Sequence, residues 1–207
     1  MKITSNTLIR LTKKHIKPAA EVVARAFHDY PSSKYIFPDA SKRFTQQKYV
    51  FQSALCYGIL YGETFATSPN LEGIAVWLPP NNVYETPWKM MRCMNLPLLF
   101  NVSLNTAKRS MPFMLYLNDS HKRIAPFPHW YLQLLAVDPK HQGKGFGNLL
   151  VKTMIKRIDQ KKFPIYVDTN TKKNVSFYQN HGFKVVEGVL LPSTNVPVWC
   201  LLREAAI

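Results

Sequence analysis

The segment from Trp130 to Leu150, WYLQLLAVDPKHQGKGFGNLL, has the residue types and the spacing of an anion-binding turn. An apolar run is followed by glycines at alternate positions, Gly143, Gly145 and Gly147, and then by a helical pattern. The first amides of a helix lack partners within the helix, and the positive end of its dipole lies there. Glycines let that backbone approach a ligand closely. We therefore expect this turn to hold a phosphate or pyrophosphate group.

Spacing separates three kinds of phosphate-binding loop. A Walker loop needs GxxxxGK followed by Ser or Thr, whereas Lys144 directly follows Gly143 and precedes Gly145. The dinucleotide fingerprint needs GxGxxG, and the chain has GxGxG. Asp168 stands about 20 residues further on, where that motif has its ribose-binding acid, so this alternative stays open. The third pattern, Gln/Arg-x-x-Gly-x-Gly/Ala, begins at Gln142 and is matched in full.

This third pattern resembles the signature of the GNAT superfamily of acyl-CoA-dependent acetyltransferases. The segment LLAVDPKHQGKGFG resembles its strand, turn and loop, and DTNTKKNVSFYQNHGF resembles the strand and helix that follow. Asn174, Tyr178, Gly182 and Phe183 stand at the expected places in the second segment. Within the superfamily the chain is most similar to the puromycin N-acetyltransferase-like group, through ARAFHDYPSSKY, GIAVWLPP and VPVWCLL, while residues 81–125 match weakly.

The resemblance implies the GNAT fold, an α/β (α+β) architecture with a mixed, mostly antiparallel sheet of six to seven strands flanked by helices on both faces. It also implies acetyl-CoA as the acyl donor and no metal. The pyrophosphate would bind at the glycine loop, and the pantetheine arm would pair with a strand that a bulge splays from its neighbour. An N–H near Leu135 would face the thioester oxygen. The cofactor-binding residues that follow are Leu135, Ala136, Val137, Gln142, Gly143, Lys144, Gly145, Phe146, Gly147, Asn148, Asn174 and Phe177.

Tyr178 is the residue that the resemblance implies as the catalytic acid, which protonates the departing thiolate. Its alternative role is a packed core aromatic, since Phe177 is its neighbour in the chain. Asn174 is a helix N-cap, a ligand of the CoA arm, or both.

The sequence does not single out one residue as the general base. Many relatives carry Glu on the central strand where this chain has Gln133, which cannot take up a proton. Asp29, His129 and Glu63 are the candidates, and water relayed to solvent is a further one.

The acceptor pocket is expected at the early helix and its loop, together with the region 85–120. The expected substrate-binding residues are Phe27, Asp29, Tyr30, Tyr35, Trp77 and Gln133. The predicted function is an acetyl-CoA-dependent N-acetyltransferase acting on a small-molecule primary amine by direct attack in a ternary complex. A non-catalytic acyl-CoA-binding or regulatory module and a basic nucleic-acid-binding protein are the alternatives.

The elements that must position these residues alternate between strand and helix. Strands are predicted at residues 7–11, 64–67, 73–78, 130–137, 165–168, 183–190 and 196–202, and helices at residues 17–28, 41–57, 146–158 and 174–181. Residues 29–39 are predicted as a loop, and one or two short helices are expected within 85–120. Gly182 is expected as the glycine that ends the last helix. The length of 207 residues fits one domain, 1–207.

The net charge of +15 favours anionic ligands, but the basic residues are dispersed and accompany no nucleic-acid-binding motif. The three cysteines form no CxxC pair, which fits a reducing cytoplasm, and no run of about 20 apolar residues is present. We therefore expect a cytoplasmic enzyme with no membrane or nucleic-acid partner, as a monomer or a homodimer.

Overall fold

The computed structural model describes residues 8–191 and 194–206. Seven strands form one sheet in the order β1-β2-β3-β4-β5-β7-β6, and β4 and β5 are the parallel pair among antiparallel neighbours. The strands are β1 (Ile9–Arg10), β2 (Glu63–Ala66), β3 (Gly73–Leu78), β4 (Trp130–Val137), β5 (Ile165–Thr169), β6 (Lys184–Leu191) and β7 (Val196–Arg203). The mixed, mostly antiparallel sheet predicted for the GNAT fold is confirmed.

Helices cover both faces of the sheet. They are α1 (Ile16–Phe27), α2 (Pro31–Ile36), α3 (Ala40–Tyr61), α4 (Pro87–Met91), α5 (Leu96–Asn101), α6 (Leu104–Ile124), α7 (Phe146–Asp159) and α8 (Lys172–Gln179). One face packs on α1 and α3, around Val23, Leu55 and Val76, while the other packs on α7 and α8, around Trp77, Leu150 and Val167. The apolar stripes of α1 and α7 therefore bury against opposite faces.

Strand β4 contains a bulge that changes which of its side chains face which helices. Val76 pairs with Leu134 and Trp77 with Leu132, so Gln133 is the extra residue. Leu132 packs on the α7 face, whereas Leu134, two residues later, packs on the α1 face. One inserted residue reverses the alternation of a strand, and it also increases the local twist. The bulge thus marks the point at which β4 turns away from β5.

Three predictions about elements need correction or restriction. Residues 29–39 are not all loop, because Pro31 begins α2 at a helix position where the missing N–H costs nothing. The region 85–120 holds three helices, and Pro112 lies inside the long α6 rather than ending it. The first strand is only Ile9–Arg10, and Thr7 of the prediction lies outside the described residues.

Candidate active site

The glycine loop places backbone amides that have no partner within the helix at the start of α7. Gly143 and Gly145 have φ angles of +78° and +89°. Glycine adopts such positive φ angles readily because it has no Cβ. Gly145 is the N-cap of α7 and provides no side-chain cap, and no acidic residue lies in the first turn. A Cβ at Gly143 would meet no atom within 4 Å, so the loop is open on that side. Backbone amides, a helix dipole and the absence of acids fit a pyrophosphate group.

Strand β4 has a free edge next to this loop. It pairs with β5 only at Trp130 and Tyr131, while on its other side β3 follows it as far as Val137. The amide of Asp138 donates to Glu72 on the β3 side, so the Val137 carbonyl of the same trans peptide points to the free edge. The Gln142 side chain donates to that carbonyl at 3.2 Å. An extended amide-rich chain can pair with such an edge, as the pantetheine arm requires.

Tyr178 lies in α8 and packs in the same apolar cluster as Leu132 of β4 and Leu150 of α7. Only 5% of Tyr178 is exposed, and burial, with Tyr30 and Asp168 nearby, raises its pKa well above 10.0. The phenol therefore keeps its proton over the working pH range. Among residues 8–191 and 194–206, no side chain or backbone group forms a hydrogen bond with this hydroxyl. Phe177 lies against the glycine loop, 3.6 Å from where a Cβ of Gly147 would be.

Tyr30 connects the α1–α2 turn to the end of β5. Its hydroxyl contacts Thr169 Oγ1 at 2.6 Å and accepts from the Asn170 amide at 2.9 Å and from Asn174 Nδ2 at 3.3 Å. The N-cap of α8 is Thr171, whose hydroxyl accepts from the Asn174 backbone amide. The N-cap alternative for Asn174 is therefore wrong. Its side chain instead fixes Tyr30, next to the expected path of the CoA arm.

Asp168 and Tyr131 bridge the two strands where they separate. The Tyr131 hydroxyl donates to Asp168 Oδ2 at 2.8 Å. Burial raises the pKa of Asp168 to about 6, although the bond from Tyr131 opposes this shift. Asp168 is therefore bonded within the sheet and not placed as a free ribose-binding acid of a glycine loop.

Glu85 is the residue that the sequence analysis missed. It precedes α4 in the chain, and its carboxylate accepts a hydrogen bond from the Gln133 side-chain amide at the β4 bulge. Burial raises the pKa of Glu85, with the Gln133 bond acting in the opposite direction. Within the described part of the chain, no lysine, arginine or histidine forms an ion pair with it. Gln133 Oε1 is buried and has no donor there.

The three carboxylate and imidazole candidates for the base lie elsewhere. Asp29 has a side chain that is 76% exposed, next to His28 and Lys34, and Glu63 pairs with Arg157. His129 is fully buried, with its two ring nitrogens bonded to His121 and to the Phe127 carbonyl, and burial lowers its pKa. None of the three is brought to the β4 bulge.

Most of the residues predicted to line the acceptor pocket also lie away from the β4 bulge. Trp77 is 0% exposed within the α7-side core, so it is not available to an acceptor. Phe27 packs edge-on against Tyr30 with ring centroids 4.8 Å apart, and Tyr35 packs on the cluster around Tyr166 and Val198. Of the expected acceptor residues, Gln133 is the one that lies at the bulge.

The residues present fit acetyl-CoA. The α7 amides and Gly143–Gly147 would hold the pyrophosphate, and Leu135–Val137 would hold the pantetheine arm. In the described ranges no group of three or more His, Cys, Asp and Glu side chains is placed to bind a metal. No helix there is long and apolar enough to cross a membrane.

Comparison with known proteins shows a likeness to one family over part of the chain. Residues 113–185, which include β4, the glycine loop, α7, β5 and α8, match the family model of the acetyltransferase (GNAT) domain. Over this segment the chain is similar to the acetyltransferase (GNAT) domain, and the fold around the segment agrees with that likeness.

Three known proteins are similar to nearly the whole of this chain. An uncharacterised N-acetyltransferase of Schizosaccharomyces pombe is 25% identical over 203 residues, 94% of this chain and 82% of that protein. The structure of histone acetyltransferase HPA2 and related acetyltransferase from Corynebacterium glutamicum is 18% identical, covers 97% of both chains and has a TM-score of 0.64. Arylalkylamine N-acetyltransferase 2 from Aedes aegypti is 11% identical, covers 96% of this chain and 98% of its own, and has a TM-score of 0.59. The two structures show a shared fold.

Proposed function

We propose that the chain is an acetyl-CoA-dependent N-acetyltransferase that acetylates a primary amine of a small molecule by direct attack within a ternary complex. The observation that carries this proposal is an uncapped α7 N-terminus beside the free edge of β4, with the buried Tyr178 in the same apolar cluster as residues of both elements. The whole of 1–207 acts in it as one domain, since the described strands form one sheet. Acetyl-CoA supplies the thioester; the amine nitrogen forms the new C–N bond, and the C–S bond breaks.

Tyr178 is the proposed acid of this reaction. Its raised pKa keeps the hydroxyl protonated, so that it can donate a proton to the sulfur as the C–S bond breaks. A hydroxyl with no partner among the described residues needs no rearrangement before it donates.

Glu85 is the proposed base. Its raised pKa brings it nearer to neutrality, where a carboxylate both stays ionised and takes up a proton effectively. An ammonium group at the bulge would be stabilised by a carboxylate that has no other cationic partner, and the free Gln133 Oε1 can accept one of its N–H groups. The carboxylate that β4 lacks would thus come from the chain between β3 and α4.

The alternatives carry less support. The reason for a non-catalytic module was the lack of a carboxylate at Gln133, and Glu85 provides one in contact with it. The names of the relatives do not select the acceptor, since one neighbour is an arylalkylamine enzyme and another a histone acetyltransferase. The small-molecule acceptor, the cytoplasmic location and the puromycin-group likeness remain predictions.

The test is calorimetric titration with acetyl-CoA at moderate salt, with NADH and ATP as controls. We expect saturable one-site binding of acetyl-CoA alone, followed by multiple-turnover thiol release with members of an amine panel. Equal binding of all three anions would mean that the net positive charge, and not the glycine loop, is responsible for binding. Binding without turnover over a broad panel would favour the non-catalytic module, and salt-sensitive DNA binding that acetyl-CoA does not displace would favour the nucleic-acid protein.

A further inference from the structure

The chain between β3 and β4 exposes an unusually apolar surface. Ten of the fifteen large apolar side chains that are exposed in the described residues lie between positions 88 and 115. We call these ten side chains the insertion surface: Trp88, Met91, Met94, Leu96, Leu99, Phe100, Leu104, Met111, Met114 and Leu115. Phe100 is 86% exposed and Leu104 is 83% exposed. Exposed apolar side chains concentrated in one stretch of the chain make that stretch a candidate for a site of interaction.

The helix N-termini under the insertion surface already have side-chain hydrogen-bond partners. Helices α4 and α5 contain no buried residue, yet Thr86, Asn95 and Ser103 cap α4, α5 and α6 through their side chains. On α6 the exposed residues Leu104, Met111 and Leu115 follow helical spacing along one stripe, and Phe113 lies on the buried side. These are amphipathic helices that lack a covering layer.

The charges around the insertion surface indicate the kind of partner. Residues 86–118 contain Lys89, Arg92, Lys108 and Arg109 and not one Asp or Glu. A second copy of this chain, docked by two-fold symmetry, would bring these cations together and bury them without acidic partners, which is costly. An anionic bilayer offers both an apolar interior and negative headgroups, and Lys and Arg can reach the headgroups while their stems stay apolar.

We propose that the insertion surface docks the protein on an anionic lipid bilayer. Trp88, Phe100 and Leu104 enter the boundary between headgroups and acyl chains, and the exposed Arg92, Lys108 and Arg109 contact the headgroups. The Lys89 ammonium instead donates to Asn82 Oδ1 at 2.7 Å. The attachment is peripheral, because no described helix is long and apolar enough to span a bilayer. This inference differs from the expectation of no membrane partner and is independent of the acetyltransferase assignment.

Trp88 provides a direct readout. It is 67% exposed, whereas Trp77 and Trp130 are buried and Trp199 is half-buried on the sheet. We expect a blue shift of the tryptophan emission on mixing the full chain with vesicles of phosphatidylcholine and phosphatidylserine, and quenching by brominated acyl chains. W88F should lose most of this change while still co-sedimenting. An unchanged spectrum with full co-sedimentation would mean that charge alone holds the protein at the headgroups, and would overturn the proposal.

The variant F100S/L104S separates apolar insertion from the attraction of a +15 chain, because it leaves the charge unaltered. We expect binding to the mixed vesicles at moderate salt to fall by roughly tenfold or more. L190S, which removes an exposed leucine from β6, is the matched control and should bind as the unmodified chain does. The proposal would be overturned if F100S/L104S bound as well as the unmodified chain, or if the unmodified chain did not bind at all. It would also be overturned if the unmodified chain formed a dimer that F100S/L104S abolishes.

Discussion

Glu85 is the side chain on which the proposed proton transfer depends most. Glu85→Gln keeps the shape and the contact with Gln133 but removes the proton acceptor, so kcat/KM should fall by roughly 10² to 10⁴. The base acts only when ionised, so kcat/KM of the unmodified chain should fall as the pH drops through the Glu85 pKa, which burial places above 4.5. A pH–rate profile measures both effects. Retention of this acid limb in Glu85→Gln would contradict the assignment.

An exchange of the two side chains at the bulge provides the control. The double variant E85Q/Q133E moves the carboxylate onto β4 while keeping one amide and one carboxylate in contact. We expect it to recover part of the activity that E85Q loses, since the proton acceptor remains at the bulge. If E85Q and E85Q/Q133E are equally impaired and equally folded, Glu85 acts through local structure and not as a base.

Tyr178 has a testable role in the other proton transfer. Tyr178→Phe removes the hydroxyl and leaves the buried ring, so turnover should fall by roughly 10² to 10⁴ with little change in acetyl-CoA affinity. Tyr166→Phe is the matched control, because Tyr166 is also a fully buried phenol, on the face that packs on His121. Steady-state kinetics and calorimetry measure the two quantities. Equal turnover of Tyr178→Phe and the unmodified chain would rule out the acid role.

At the scale of elements, the junction of the glycine loop and α7 predicts how charge affects cofactor binding. Gly145→Gln and Gly145→Glu introduce the same strain at a φ of +89° and nearly the same volume. Only Glu adds a negative charge at the positive end of α7, so it should weaken acetyl-CoA binding by roughly a further tenfold. Calorimetry gives the two affinities, and thermal unfolding checks that both variants fold. Equal affinities would show that no anion binds at this helix start.

At the scale of the whole molecule, Asp168 couples stability to pH. Burial raises the pKa of Asp168 to about 6 from 3.8, so the folded chain binds this proton more tightly than the unfolded chain. The stabilisation is complete below pH 3.8 and is lost as the pH rises through about 6. Asp168→Asn keeps an oxygen for the Tyr131 hydroxyl and removes the buried charge.

Asp168→Asn should therefore raise the free energy of unfolding at pH 7 by about 3 kcal/mol and change it little at pH 4. Denaturant unfolding of both chains at the two pH values measures this difference. A difference that is the same at both values would show that the ionisation of Asp168 does not limit stability.

The sequence by itself determined the elements with clear local patterns and one half of the site. The apolar run that ends at Val137, the glycine spacing and the apolar stripe of α7 are properties of neighbouring residues, so local sterics and periodicity suffice to predict them. The loop and the strand beside it are therefore where they were expected. Helix α2 and the long α6 were missed, because proline in a first turn and a helix stabilised by its tertiary contacts leave weak local signals.

The tertiary structure alone decided which distant side chains meet. Glu85 and Gln133 are 48 positions apart, and Tyr30 and Asn174 are 144 apart. Such contacts depend on strand order and on the parity of β4, which one bulged residue reverses, so no spacing in the chain reports them. Glu85 before a proline-containing helix carries no motif of its own. It acquires a role because the fold buries it, without a cation, against the one strand position where a carboxylate was missing.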